Sequence, residues 1–152
     1  MRFSSFAAAC ALLTAASPAA AQITVSGIRN LAFGPVIRGV ATHVFPNNPV
    51  KSGQFRFVTA IGNRVRVQFT LPNRLNGPAG ATMPISFSTT DAIAVGTAAI
   101  SVPVTFNPKG ARVFVIVTST TINVFIGGTV TPAAAQALGA YTNTITLTVT
   151  VL

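Results

Sequence analysis

The sequence is poor in every side chain that usually carries chemistry. Among 152 residues it has one acid, Asp91, one histidine, His43, and one cysteine, Cys10. Paired-carboxylate mechanisms need two acids. Hard-cation sites take several carboxylates, and zinc sites take clustered cysteine or histidine. Neither set exists here, so no metal, cofactor or catalytic site is expected, and the chain reads as a binding or structural protein rather than an enzyme. It also lacks a G-x-S-x-G elbow and a phosphate-binding glycine loop. Charged residues make up 7%, against about 25% in an ordinary soluble domain. With 50% apolar content, the composition is the opposite of a disordered chain.

The two lone titratable residues have bland readings. His43 stands between Thr42 and Val44 with no carboxylate or cysteine near it in sequence, and is expected to be a surface or hydrogen-bonded histidine. Asp91 closes Ser88-Thr89-Thr90-Asp91, where a carboxylate makes a local turn bond. A serine triad with these two is arithmetically open, but no motif supports it.

Long apolar runs are also missing outside the N-terminus. Met1 and Arg2 precede an apolar stretch over 6–16, then Ser17-Pro18 and Ala19-Ala20-Ala21. A short apolar stretch before an A-x-A site is a secretory signal peptide, expected over 1–21 with cleavage before Gln22. An apolar run of about 11 residues cannot cross a hydrocarbon core of about 30 Å. Cys10 lies inside that run, and Ala7 stands where a lipobox usually has leucine, so a lipoprotein reading is rejected. Later the longest apolar run is Val113-Phe114-Val115-Ile116-Val117, too short for a transmembrane helix. The expected mature protein, 22–152, has no cysteine and carries nine basic residues against one acid. It is expected to be exported to the periplasm, cell surface or extracellular space. A single domain of this length can rely on its apolar core.

What is present is period-two alternation. Apolar and polar residues alternate between Gly, Pro and Asn clusters, the pattern of half-buried strands. Strands are expected at 23–28, 30–37, 40–45, 54–60, 64–71, 82–87, 100–106, 112–117, 121–126 and 141–151. The stretch 133–138 is too short for more than a turn or loop. Many short strands with turn signals between them describe an all-β sandwich with Greek-key connections. One pairing follows from register. A three-residue loop, Ile61-Gly62-Asn63, would set Phe57 opposite Val67 and Phe55 opposite Phe69. That hairpin places Arg56, Arg64 and Arg66 together on one solvent face, a possible contact for an anionic polysaccharide or lipopolysaccharide. The alternative is that these charges only solubilise the face and discourage edge pairing. Nucleic acid is disfavoured, because the phenylalanines fall on the opposite, buried side rather than between the arginines.

Both ends of the mature chain carry a resemblance. Ile28-Arg29-Asn30-Leu31-Ala32-Phe33-Gly34-Pro35-Val36 resembles an "L-x-F-G-x-V" opening. Gly127-Gly128-Thr129-Val130-Thr131-Pro132, followed by Gly139-Ala140-Tyr141-Thr142-Asn143-Thr144-Ile145-Thr146-Leu147-Thr148-Val149, is similar to a closing "GGTLT…GxYxGxxxVxV". The segment 55–72 resembles a central "F-x-V…L-P". Together they resemble the domain-of-unknown-function family 4402, itself related in pattern to the spore-coat-protein-U domain of fimbrial subunits. The resemblance implies an immunoglobulin-like, pilin-like sandwich, exported and assembled as a surface filament by a periplasmic chaperone and usher.

The leading expectation is therefore a structural, pilin-like subunit that associates with copies of itself. A secreted module for anionic polysaccharide or lipopolysaccharide is the alternative. In the last strand Ile145, Leu147, Val149 and Val151 alternate with threonines, so one face is apolar and needs burial. With the sequence ending at Leu152, its outer edge is expected to accept a strand. Ile23 and Val25 are the alternating apolar residues the N-terminus offers in return. Tyr141, at the mouth of the last strand, is a candidate tyrosine corner.

Overall fold

In the computed structural model, residues 23–96, 103–116 and 120–152 are described. The expected signal peptide over 1–21 lies outside them, as do 100–102 and Val117 of two expected strands. The chain is all-β. Its strands are β1 (Thr24–Arg29), β2 (Thr42–Val44), β3 (Gly53–Val58), β4 (Arg64–Thr70), β5 (Arg74–Asn76), β6 (Thr82–Ser86), β7 (Ala92–Gly96), β8 (Val104–Phe106), β9 (Arg112–Val115), β10 (Thr121–Ile126), β11 (Gly128–Val130) and β12 (Thr146–Val151). Among the described residues the only helical element is a 3-10 turn at Pro78–Gly80, and no helix is long and apolar enough to cross a membrane.

The strands form three antiparallel sheets, ordered β1-β3-β10-β7-β8, β2-β11-β6-β5 and β12-β4-β9. Alternation decides which side chains enter the core. Phe57 of β3, Val65 and Val67 of β4, and Val124 of β10 are fully buried. The five- and three-stranded sheets meet through phenylalanines. Phe55 of β3 lies 5.7 Å from Phe69 of β4, Phe69 stacks at 6.4 Å on Phe106 of β8, and Phe106 meets Phe114 of β9 at 5.6 Å. The result is sandwich-like, with one apolar core between the sheets.

Two strand runs change sheet part-way. β4 gives way at Leu71-Pro72-Asn73 to β5, where proline cannot donate to a ladder. β10 becomes β11 across Gly127, passing from the five-stranded to the four-stranded sheet. A Cβ at Gly127 would lie 2.2 Å from the Val44 carbonyl oxygen, so only glycine lets this crossing pass against the end of β2.

Several expectations need correction. The 54–60/64–71 hairpin does not form: β3 pairs with β1 and β10, while β4 pairs with β12 and β9. The loop at 61–63 carries the chain from one sheet to another. The inward residues survive this change, because both strands still face the same core. Residues 30–37 are not a strand; Gly34 has φ 71°, and the Gly34-Pro35 step breaks a ladder. The final strand begins at Thr146 rather than at 141, leaving one isolated bridge between Thr142 and Asn76. Strands β5, β7 and β11 were not expected.

Candidate functional site

A cleft of about 710 Å³ opens beside the core. Its deep surface consists of core residues, among them Leu75, Met83, Ile85, Ile126 and Val130. One wall is the end of β1 with the stretch that follows, where Leu31, Phe33 and Val36 lean on the core. The other wall is 139–145, ahead of β12. The two terminal motifs, more than ninety positions apart in sequence, thus face each other across one opening.

Glycines set the wall positions. A Cβ on Gly53 would sit 2.8 Å from Ile126 Cγ2 and 3.3 Å from Leu31 Cβ, so glycine lets Leu31 approach the cleft floor. A Cβ on Gly77 would stand 2.3 Å from Tyr141 Cε1, so the tyrosine ring lies flush on that backbone. The Tyr141 hydroxyl donates to the Ala137 carbonyl at 2.8 Å and accepts from Gln136 Nε2 at 2.6 Å. Gln136 is buried and also donates to the Thr82 carbonyl. Asn143 Nδ2 reaches the Arg74 carbonyl at 2.7 Å. This wall is therefore pinned to β5 and β6 by polar contacts. Replacing Tyr141 by Phe removes one exposed donor bond and one part-buried acceptor bond, and should cost about 1 kcal/mol. A urea midpoint equal to the parent's would assign the ring alone the stabilising role.

Among the described residues, Arg29 is the only charged one lining the cleft. Its Nε donates to the Ser52 carbonyl at 2.7 Å, Nη2 to Ser52 Oγ at 2.9 Å, and Nη1 to the Pro49 carbonyl. The guanidinium thus fastens the end of β1 to the turn before β3.

Beside the cleft lie two sheet edges. β1 is the edge of the five-stranded sheet and β12 the edge of the three-stranded sheet. They approach one another without pairing. The sequence suggests a free N-terminal segment, but residues 23–29 are held: Val25 pairs with Phe57 in β1–β3, and Ile23 rests partly on the core. Yet five of the six β1 residues are exposed, so backbone bonds carry most of its attachment. On β12, Leu147 is buried, Val149 half-buried and Val151 exposed, while Ile145 lines the cleft.

The three arginines are divided. Arg56 points outward from the five-stranded sheet, whereas Arg64 and Arg66 point outward from the three-stranded sheet. Their common face disappears with the hairpin that implied it. His43 and Asp91, distant in sequence, come together: His43 Nε2 stands 3.6 Å from Asp91 Oδ1, and Nδ1 lies 2.8 Å from Thr129 Oγ1. Asp91 also accepts from the Ser88 N–H at 2.8 Å, the local turn bond its sequence context suggests. The row of hydroxyl, imidazole and carboxylate lines neither this cleft nor the groove described below. It ties β2, β11 and the 88–91 turn together.

Compared with known proteins, the chain matches no family model, no curated protein and no solved structure.

Proposed function

We propose that the protein is an exported structural subunit with an immunoglobulin-like, Greek-key sandwich that joins copies of itself by β-strand addition. In this reading a periplasmic chaperone and usher deliver it to a pilin-like surface filament. The cleft carries the proposal. Core residues line an opening flanked by two sheet edges, and an added strand would supply both backbone partners and apolar side chains. β1 is suited to donation, since it buries little of its own side-chain surface. Ile145, Leu147 and Val149 on one side, with Ile23 and Val25 on the other, are the assembly residues.

The mature chain has no native cysteine, so an introduced pair reports contact cleanly. With Val25→Cys and Ile145→Cys in one chain, mild oxidation of assembled protein should give a ladder of covalent oligomers on a denaturing gel. A monomer band alone, from a preparation without filaments by electron microscopy, would reject strand addition between copies.

A further inference from the structure

The outer face of the five-stranded sheet is divided in an unusual way. Outward positions of a sandwich strand are ordinarily polar. Here Phe125 of β10 sits beside Ile93 of β7 on that face, and Val95 pairs with Asn123. The turn at 46–49 rises next to them, making a nearly apolar groove of about 340 Å³. On the other side of Phe125 the face becomes polar. Gln54 is opposite Phe125, and Arg56 is opposite Asn123.

The polar half is pre-oriented. Asn123 Oδ1 accepts from Gln54 Nε2 at 3.2 Å and from Arg56 Nε at 3.2 Å. Both neighbours thereby fix the amide with its NH₂ turned away from them. The Asn123 NH₂, Gln54 Oε1 and the Nη groups of Arg56 have no further hydrogen bond among the described residues, so an amide donor, an amide acceptor and a two-pronged cation remain for a ligand.

We propose that this face binds a uronic-acid polysaccharide. A sugar ring has an apolar C–H face, which fits against Phe125, and in-plane hydroxyls, which fit Asn123 and Gln54. The carboxylate of a uronic acid matches the bidentate geometry of the Arg56 guanidinium. A second copy of the chain is a poor occupant. Asp91, the chain's single acidic side chain, is 2% exposed, so another copy has no side-chain carboxylate to offer Arg56. The proposal is independent of strand addition, which uses the opposite side of this sheet.

The test is calorimetric titration of the purified exported protein with short oligogalacturonate, with maltodextrin as the neutral control. Oligogalacturonate should bind and maltodextrin should not, and the affinity should fall as salt rises. Arg56→Gln should weaken binding by about tenfold or more, with partial recovery in Arg56→Lys. Phe125→Ser should show a comparable loss. If that variant does not fold, saturation transfer from the Phe125 ring to sugar protons in the unaltered protein replaces it. At about 0.1–0.15 M salt, Arg64→Gln with Arg66→Gln, on the far face, should leave affinity within about twofold, since charges are screened there over about 8–10 Å. Equal losses from both arginine sets would mean diffuse charge attraction and overturn the site. So would absence of binding at low salt, absence of transfer from Phe125, or binding to anionic lipid vesicles but not to the sugar.

Discussion

Gly127→Ala should lower stability by about 3 kcal/mol or more, among the most damaging single-methyl additions available in this chain. The added Cβ would stand 2.2 Å from the Val44 carbonyl oxygen, 2.8 Å from the Pro46 nitrogen and 3.0 Å from the Phe45 carbonyl carbon. All three are backbone atoms, so no side chain can swing aside. Relief requires the end of β2 to move. That would loosen the pairing of Gly128 with Val44 and the bond from the Gly127 N–H to the Asp91 carbonyl at 2.8 Å. Gly110→Ala is the matched control, because a Cβ there meets nothing within 4 Å and the backbone is not left-handed. Urea denaturation should place Gly110→Ala near the parent and Gly127→Ala far below it, or unfolded from the start. A parent-like midpoint for Gly127→Ala would show that β2 yields without cost.

The same crossing explains how far the fold could be read from sequence. Alternation exposes a strand's inward and outward sides but carries no information about its neighbours. For 54–60 and 64–71, folding back within a sheet and crossing between sheets bury the same Phe55, Phe57, Val65, Val67 and Phe69. The assignment of core residues is therefore robust while the pairing is not. The grouping of Arg56 with Arg64 and Arg66 depended on pairing, so it fell with the hairpin. The missed strands have a different cause. β5 and β11 each have three residues, too few for a period to register. β7, Ala92–Gly96, presents apolar side chains on both faces, because its outer face belongs to the apolar groove. The stretch 30–37 failed in the opposite sense: its apolar residues serve a cleft wall, and the left-handed Gly34 before Pro35 prevents a ladder.

The cleft itself was only partly legible. Ile145 stood out through its alternation with threonine, and Tyr141 through its place before the last strand. Met83, Ile85 and Ile126 carried no signal beyond ordinary core, since a residue lining a cleft and one sealed inside a sandwich show the same pattern. The Gln54–Asn123–Arg56 row was hidden more thoroughly. Its members are 69 and 67 positions apart, and only the β3–β10 register joins them.

Deleting residues 22–25 should abolish assembly and leave a folded monomer. The deleted segment is not deep core: Val25 is 37% exposed, and Ile23, just before β1, is only partly buried against the core. Losing both part-buried apolar side chains, together with the backbone pairings of Thr24 with Val58 and Val25 with Phe57, should cost about 2–4 kcal/mol, less than the usual stability of a domain. The remainder of β1 stays fixed, because Arg29 keeps its bonds to Ser52 and Pro49 and Gly27 keeps its place opposite Phe55. The deletion thus removes the donor segment without opening the Arg29 end of the cleft. Under strand addition, the truncated protein can still receive a strand but has none to give. Mixed with the parent protein, it should cap growing filaments and shorten them in proportion to its share. Electron microscopy of such mixtures distinguishes this from simple misfolding, which would leave parent filaments at full length. If the parent stays monomeric at high concentration, with the amides of residues 23–25 protected from hydrogen exchange, β1 belongs permanently to its own sheet and the filament reading fails.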